Sequence, residues 1–144
     1  NKIISGIQNK QMDNDELNFS YSGLKSAVIN LIHNEKQRGN EIRVNDVAAS
    51  FQIIAVDELI RKTRQAIQQT NSKRLIIAGG VSANKYLRSE FEKLAEKENI
   101  KLTIPPIKYC TDNAAMIGCA AYPLYLKGEF AEFDTNAQST LELF

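Results

Sequence analysis

One histidine among 144 residues leaves little room for the commonest catalytic and metal-binding sets. His33 has neither a glutamate nor a second histidine at ligand spacing, so no H-E-x-x-H zinc helix exists and a metalloprotease reading finds no support. No Ser–His–Asp or Cys–His nucleophile set can be assembled around it either. His33 reads as an ordinary surface or boundary residue. Cysteine is equally sparse. Cys110 and Cys119 lack CxxC spacing and read as reduced, small core residues of a cytosolic protein rather than a disulfide or metal pair. Charge of one sign is lacking too: Lys+Arg 18 against Asp+Glu 17 gives no field to attract nucleic acid or an anionic membrane. No apolar run approaches membrane-spanning length and nothing at the start resembles a signal peptide, so a cytoplasmic protein with no membrane partner is expected. The phosphate-binding patterns G-x-x-x-x-G-K-[ST] and G-x-G-x-x-G are both missing.

What is present suits one domain, or one lobe of a larger protein, with 43% hydrophobic residues to build a core and 24% charged residues to cover it. The chain begins at Asn1 and is expected to be a piece of something longer. Residues 1–18 read as a linker or lead-in, residues 19–128 as the folded lobe and residues 129–144 as a tail. Phe19 and Tyr21 alternate in a short extended piece, Gly23 interrupts, and Leu24, Val28, Leu31 and Ile32 then recur at helical spacing. Asn45 is a candidate N-cap for a long helix to about residue 69, with Val47, Phe51, Ala55 and Leu59 on one face. Its apolar stripe broadens between Ile53 and Ile60, as in a helix buried on more than one side.

A regular alternation follows. Residues 74–78 are continuously apolar after Arg74, the pattern of a parallel strand covered on both faces. Ser82 can cap a helix to about residue 98 with Leu87, Phe91, Leu94 and Ala95 on its inner face. Residues 101–104 form a second strand candidate, and Pro105-Pro106 stiffen its exit. Thr111 can cap a last helix to about residue 126, whose small residues allow close approach to neighbours. The class is α/β. Two parallel strands alone make no stable domain, so further strands are expected outside this stretch of chain.

Ligands of open α/β sheets collect at the carboxyl ends of the strands. Both strand-to-helix loops, "AGGVSAN" and "PPIKYCTDNAA", should lie on that edge. Gly79 and Gly80 remove two Cβ atoms, which admits a planar or anionic group to the backbone, or serves only a tight turn. Asn84 has an amide able to bond a nucleotide's sugar or base, or is a solvated surface residue. Asp112 complements a helix dipole, or faces the cleft as a hard oxygen ligand for a metal. Lys85 and Arg88 read as solvated helix side chains, as do Arg61, Lys62, Arg64, Lys73 and Arg74.

Four blocks, "FSYSGLKSAV", "DVAASFQ", "AGGVSANKYLR" and "PPIKYCTDNAAMI", resemble in this order the TsaD (YgjD/Gcp) family of tRNA threonylcarbamoyladenosine synthases. The likeness covers about residues 18–128 and is that of a C-terminal part. It implies the C-terminal lobe of the actin-like, sugar-kinase and heat-shock-chaperone ATPase fold, with ribonuclease-H-like topology. It also implies transfer of threonylcarbamoyl from threonylcarbamoyl-adenylate to the N6 amine of the tRNA adenosine 3′ of the anticodon, releasing AMP. In that family an Fe(2+) or Zn(2+) ion is held by an H-x-x-x-H pair and by the aspartate of the C-T-D-N-A block, here Asp112. The asparagine of G-G-V-x-A-N, here Asn84, contacts the nucleotide, and Gly79 and Gly80 let adenosine and phosphates approach. Ser22 to Lys25 form a family hallmark of no assigned chemistry. Implied partners are tRNA and TsaB- and TsaE-type proteins. The histidine pair is absent from these residues, so the remaining metal ligands would lie outside this chain, and the chain alone is expected to be inactive. Two other readings stand beside this one: a nucleotide-binding lobe of another ATPase or kinase of the same fold class, and a non-catalytic scaffold lobe.

Overall fold

The structure, a computed structural model, describes residues 17–19 and 21–136. The lead-in therefore lies almost wholly outside the described residues, as does the end of the tail. Helix α1 (Ser22–Gln37) starts just after Tyr21, and Gly39, at φ 74°, turns the chain away behind it. The long helix α2 (Val44–Thr70) begins one residue before Asn45, with Arg43 at the cap position. Among the described residues no side chain caps it. Instead Asp46 in the first turn pairs with Arg43 at 3.2 Å, which places a carboxylate near the helix N-terminus by another route than capping. Asn71 closes α2 in the left-handed conformation that asparagine tolerates better than most residues.

Strand β1 (Arg74–Ile76), helix α3 (Lys85–Glu98) and strand β2 (Lys101–Thr103) form a strand–helix–strand unit with the strands parallel. Leu75 lies opposite Leu102 and Ile76 opposite Thr103, and the Ile77 N–H extends the ladder to the Thr103 carbonyl at 3.0 Å. α3 ends at Asn99, also left-handed, and the Ile100 N–H returns to the Ala95 carbonyl at 3.0 Å. That closing bond turns the chain directly into β2 and tucks Ile100 against the core. A last helix, α4 (Ala114–Lys127), follows the second loop.

The core lies between α2, α3 and one face of the sheet. Val56 and Ile67 of α2 meet Leu87, Phe91 and Leu94 of α3, with Leu75, Ile77, Ile100 and Leu102 packed against them. The expected inner face of α3 is therefore observed. Other expectations are corrected. The buried line of α2 runs through Val47, Val56 and Ile67, while Phe51 is exposed, because the helix turns that residue toward α1 rather than the sheet. Strand β1 is covered on one face only: Leu75 and Ile77 point inward and Ile76 is 74% exposed. Its continuous apolar run is suited to a cover that no described element supplies. Lys62, read from sequence as a solvated side chain, is buried, and Arg64 pairs with Glu98 at 2.6 Å to tie the end of α2 to the end of α3. No helix among the described residues is long and apolar enough to cross a membrane.

Candidate functional site

The first loop leaves β1 through Ala78, Gly79 and Gly80. Gly79 sits at φ 88°, ψ 169°, a region that only glycine enters without strain. Gly80 has no such constraint, and a Cβ built on either glycine would meet nothing within 4 Å. The first glycine is thus required by the turn. The second leaves open space beside the backbone.

A short 3-10 turn, Gly80–Ala83, stands between the strand and α3. Ser82 is buried in it and its hydroxyl donates to the Gly79 carbonyl at 2.6 Å, so Ser82 braces the turn and does not cap the helix. The cap is Asn84, whose Oδ1 accepts from the Leu87 N–H at 3.0 Å. Its Nδ2 donates to Gln52 Oε1 of α2 at 3.1 Å. Asn84 is therefore neither free nor merely solvated: one end of the amide starts α3 and the other ties the loop to α2.

The second loop leaves β2 through Pro105 and Pro106, and a turn at Ile107–Tyr109 brings Cys110 into the interior. Here too the cap lies further along than Thr111. Asn113 accepts from the Met116 N–H at 3.0 Å through Oδ1 and donates to the Thr111 carbonyl at 2.8 Å through Nδ2. Asp112 is exposed in this turn, and among the described residues its carboxylate has no hydrogen-bond or ion-pair partner.

Arg88 joins the two loops. From α3, one turn beyond Asn84, its Nε donates to the Ser82 carbonyl at 2.6 Å and its Nη2 to the Pro105 carbonyl at 2.6 Å. The same nitrogen lies 3.1 Å from Cys110 Sγ, whose thiol faces the Pro105 and Pro106 carbonyls at 3.8 and 3.6 Å. Arg88 is thus an internal staple and not a solvated side chain. Cys119, expected in the core with Cys110, is exposed on α4, which no other described element covers.

A third link completes the arrangement. The Tyr21 hydroxyl donates to the Ala55 carbonyl of α2 at 3.0 Å, and burial, with the Glu58 carboxylate nearby, pushes the phenol above its ordinary range. Three side chains, Tyr21, Asn84 and Arg88, therefore connect α1 to α2, α2 to the first loop, and the first loop to the second. The chemistry available is that of a binding surface: bare main chain at Gly80, the N-terminus of α3, and an open carboxylate. No three His, Cys, Asp or Glu side chains gather to hold a metal among the described residues. Asp112 alone does not fit an iron or zinc ion.

The family model described as TsaD, tRNA N6-adenosine threonylcarbamoyltransferase, matches residues 2–119. The chain belongs to the TsaD family. A relative from Halalkalibacterium halodurans, named tRNA N6-adenosine threonylcarbamoyltransferase, is 50% identical over 132 residues, which cover 92% of this chain and 38% of the relative. Relatives of the same name from Bacillus cereus and Caldicellulosiruptor saccharolyticus are 50% and 48% identical, and the matches cover 39% of each. The chain thus spans less than two fifths of the length of the curated relatives it matches. Within this TsaD-family chain, the links made by Asn84 and Arg88 join three of the quoted blocks, and the link from Tyr21 runs from the first block to Ala55, three residues past the second. Sequence reasoning missed Gln52 and Arg88. The signal for Arg88 was its position four residues beyond Asn84, on the same helical face and above a loop whose two prolines offer carbonyls but no N–H groups.

Proposed function

We propose that this chain is the C-terminal lobe of an actin-like, ribonuclease-H-like enzyme. The enzyme moves a threonylcarbamoyl group from threonylcarbamoyl-adenylate to the N6 amine of a tRNA adenosine in the cytoplasm. The amine attacks the carbamoyl carbonyl carbon, the bond from that carbon to the phosphate oxygen breaks, AMP leaves, and the amine loses one proton. The chain's part is binding and orientation. Gly80 lets the adenylate lie against the main chain, and the N-terminus of α3 presents N–H groups and a positive dipole end to its phosphate. Asn84 fixes the start of that helix, and one proton of its Nδ2 and a lone pair of its Oδ1 remain beyond the bonds it makes to Gln52 and Leu87. Holding the substrate in one orientation supplies much of the rate advantage of such a transfer.

The observation that carries this reading is the junction of the two strand-to-helix loops at the carboxyl edge of the parallel strands, in a chain whose family relatives are named for the reaction. An Fe(2+) or Zn(2+) ion would find one oxygen donor here, Asp112, and would need its other ligands from outside the described residues. TsaB- and TsaE-type proteins are the proposed companions.

The test uses the full-length protein that carries this chain, supplied with threonylcarbamoyl-adenylate and unmodified tRNA. Threonylcarbamoyladenosine should form, and the 144-residue chain alone should form none. Asn84→Asp keeps an oxygen for the cap but loses the amide donor. Loss of the bond to Gln52 should lower the melting temperature only slightly, and AMP binding should weaken at least about tenfold through the lost donor and the charge added beside the phosphate. Unaltered AMP affinity would reduce Asn84 to a helix cap.

A further inference from the structure

Two loops that act on one substrate must be held at a fixed separation, and among the described residues the backbone ladder stops at Ile77 and Thr103, at the bases of the loops. Among the described residues no backbone hydrogen bond joins residues 78–84 to residues 104–113. The connection is one guanidinium. Arg88 donates through Nε to the carbonyl of Ser82 and through Nη2 to the carbonyl of Pro105, both at 2.6 Å, and reaches the sulfur of Cys110 at 3.1 Å. Ser82 is 1% exposed and Cys110 4%, so the anchors are fixed parts of the interior. The bonds leave from two nitrogens fixed in one rigid plane. They therefore set a distance and an angle between the loops as well as an attachment.

We propose that Arg88 is a positioning residue that sets the span between the nucleotide-binding loop and the loop that carries Asp112. This rests on the reading of the rim as an adenylate-binding, acyl-transferring site. The first loop keeps other ties when its bond to Arg88 is lost, from Asn84 to Gln52 and from Ser82 to Gly79. Among the described residues the second loop has no comparable tie. Loss of the guanidinium should leave adenylate binding in place and misplace residues 105–112 relative to it. Lysine keeps the charge but offers one compact donor group in place of a planar fork, so it should not restore the span.

The experiment compares Arg88→Lys and Arg88→Gln with the unsubstituted full-length protein. In Arg88→Lys, kcat should fall at least about tenfold, since misplacement by about 1 Å can cost as much as a hundredfold. AMP affinity should stay within about threefold, a split that marks an interaction effective in the transfer step and not in ground-state binding. Amide hydrogen exchange should quicken in residues 105–112 and stay unchanged in the core of α3. An unchanged kcat in both variants overturns the proposal. So does a loss that merely follows the unfolded fraction and vanishes when the assay is run well below the melting temperature. If the unsubstituted protein forms no product, the functional reading fails, and exchange alone decides on Arg88: unaltered exchange at residues 105–112 overturns the staple, and quickened exchange there supports it.

Discussion

Helices α3 and α4 are built to the same plan and meet opposite fates. Each is 14 residues long, each follows a strand and a polar loop, and each is capped by an asparagine that accepts from the third N–H beyond it at 3.0 Å. Each ends on a left-handed residue, Asn99 in one and Gly128 in the other. Yet α3 buries Leu87, Phe91, Leu94 and Ala95, and α4 buries nothing. The more apolar of the two is the bare one: Ile117, Tyr122, Tyr125 and Leu126 are each more than half exposed. Caps and turns therefore start and stop a helix without deciding whether it contributes to a core. That is decided by what faces it. α3 is amphipathic, with a partner for its single apolar stripe in α2 and the sheet, whereas α4 is apolar around its circumference, the character of a helix enclosed on several sides. The open face of β1 at Ile76 belongs to the same uncovered half of the molecule.

The contrast is sharpest in stability. Phe91→Ala should cost about 3–5 kcal/mol, because it empties a closed site between α2 and α3 that cannot collapse. In a domain of this size that is a large part of the total. Ile117→Ala on α4 removes a similar apolar group from solvent and should shift stability by no more than about 0.5 kcal/mol. Urea unfolding of the isolated chain measures both. Comparable losses would mean that α4 is packed in solution, and the distinction between the two helices would disappear.

Element order and type were legible in the sequence, as was the inner face of α3, because four apolar residues at helical spacing leave one geometric solution. Three helix starts were displaced: Asn45 gave way to Arg43, Ser82 to Asn84 and Thr111 to Asn113. "SAN" holds two cap-forming residues around an alanine and "TDN" three in a row, and any of them satisfies local rules. The first is settled by the 3-10 turn, which uses Ser82 to hold Gly79 and passes the cap onward. The one-sided cover of β1 could not be read from an apolar run, since that pattern records what the strand can bury and not what is beside it. The roles of Arg88 and Gln52 were hidden for a related reason. Their partners are distant in the chain, and only the fold brings them within reach.

The loops that launch the two helices carry the contrast to single residues. The loop before α3 needs a glycine at position 79, where Gly79→Ala should cost about 1–3 kcal/mol through backbone strain alone. Gly80→Ala meets open space at an ordinary backbone angle and should be nearly neutral in stability. In the full-length protein the order reverses for binding. If Gly80 is bare so that an adenylate can lie there, Gly80→Ala should weaken AMP binding with the melting temperature preserved. A neutral result in both measurements would make the second glycine a simple turn residue and leave the loop before α3 no more specialised than the loop before α4.

The smallest effect concerns charge. α4 has no carboxylate along its length, whereas α3 sets Glu90 opposite Asp57 of α2. Desolvation, and then the Glu90 charge, push the Asp57 carboxyl above its ordinary range. A raised carboxyl value means that the fold disfavours the charged form, so this group subtracts from stability. The subtraction is absent at low pH, where folded and unfolded chains are both protonated. It builds as pH rises from the unfolded value, about 3.9, through the raised folded one, and is constant above that. Asp57→Asn should therefore raise the melting temperature slightly at pH 7 and lose that advantage as pH falls through the carboxylate range. Because Asp57 is largely exposed, salt should shrink the gain as well. A benefit independent of pH would point to packing or helix propensity, and a loss at pH 7 would mean that Asp57 has a favourable partner that outweighs Glu90.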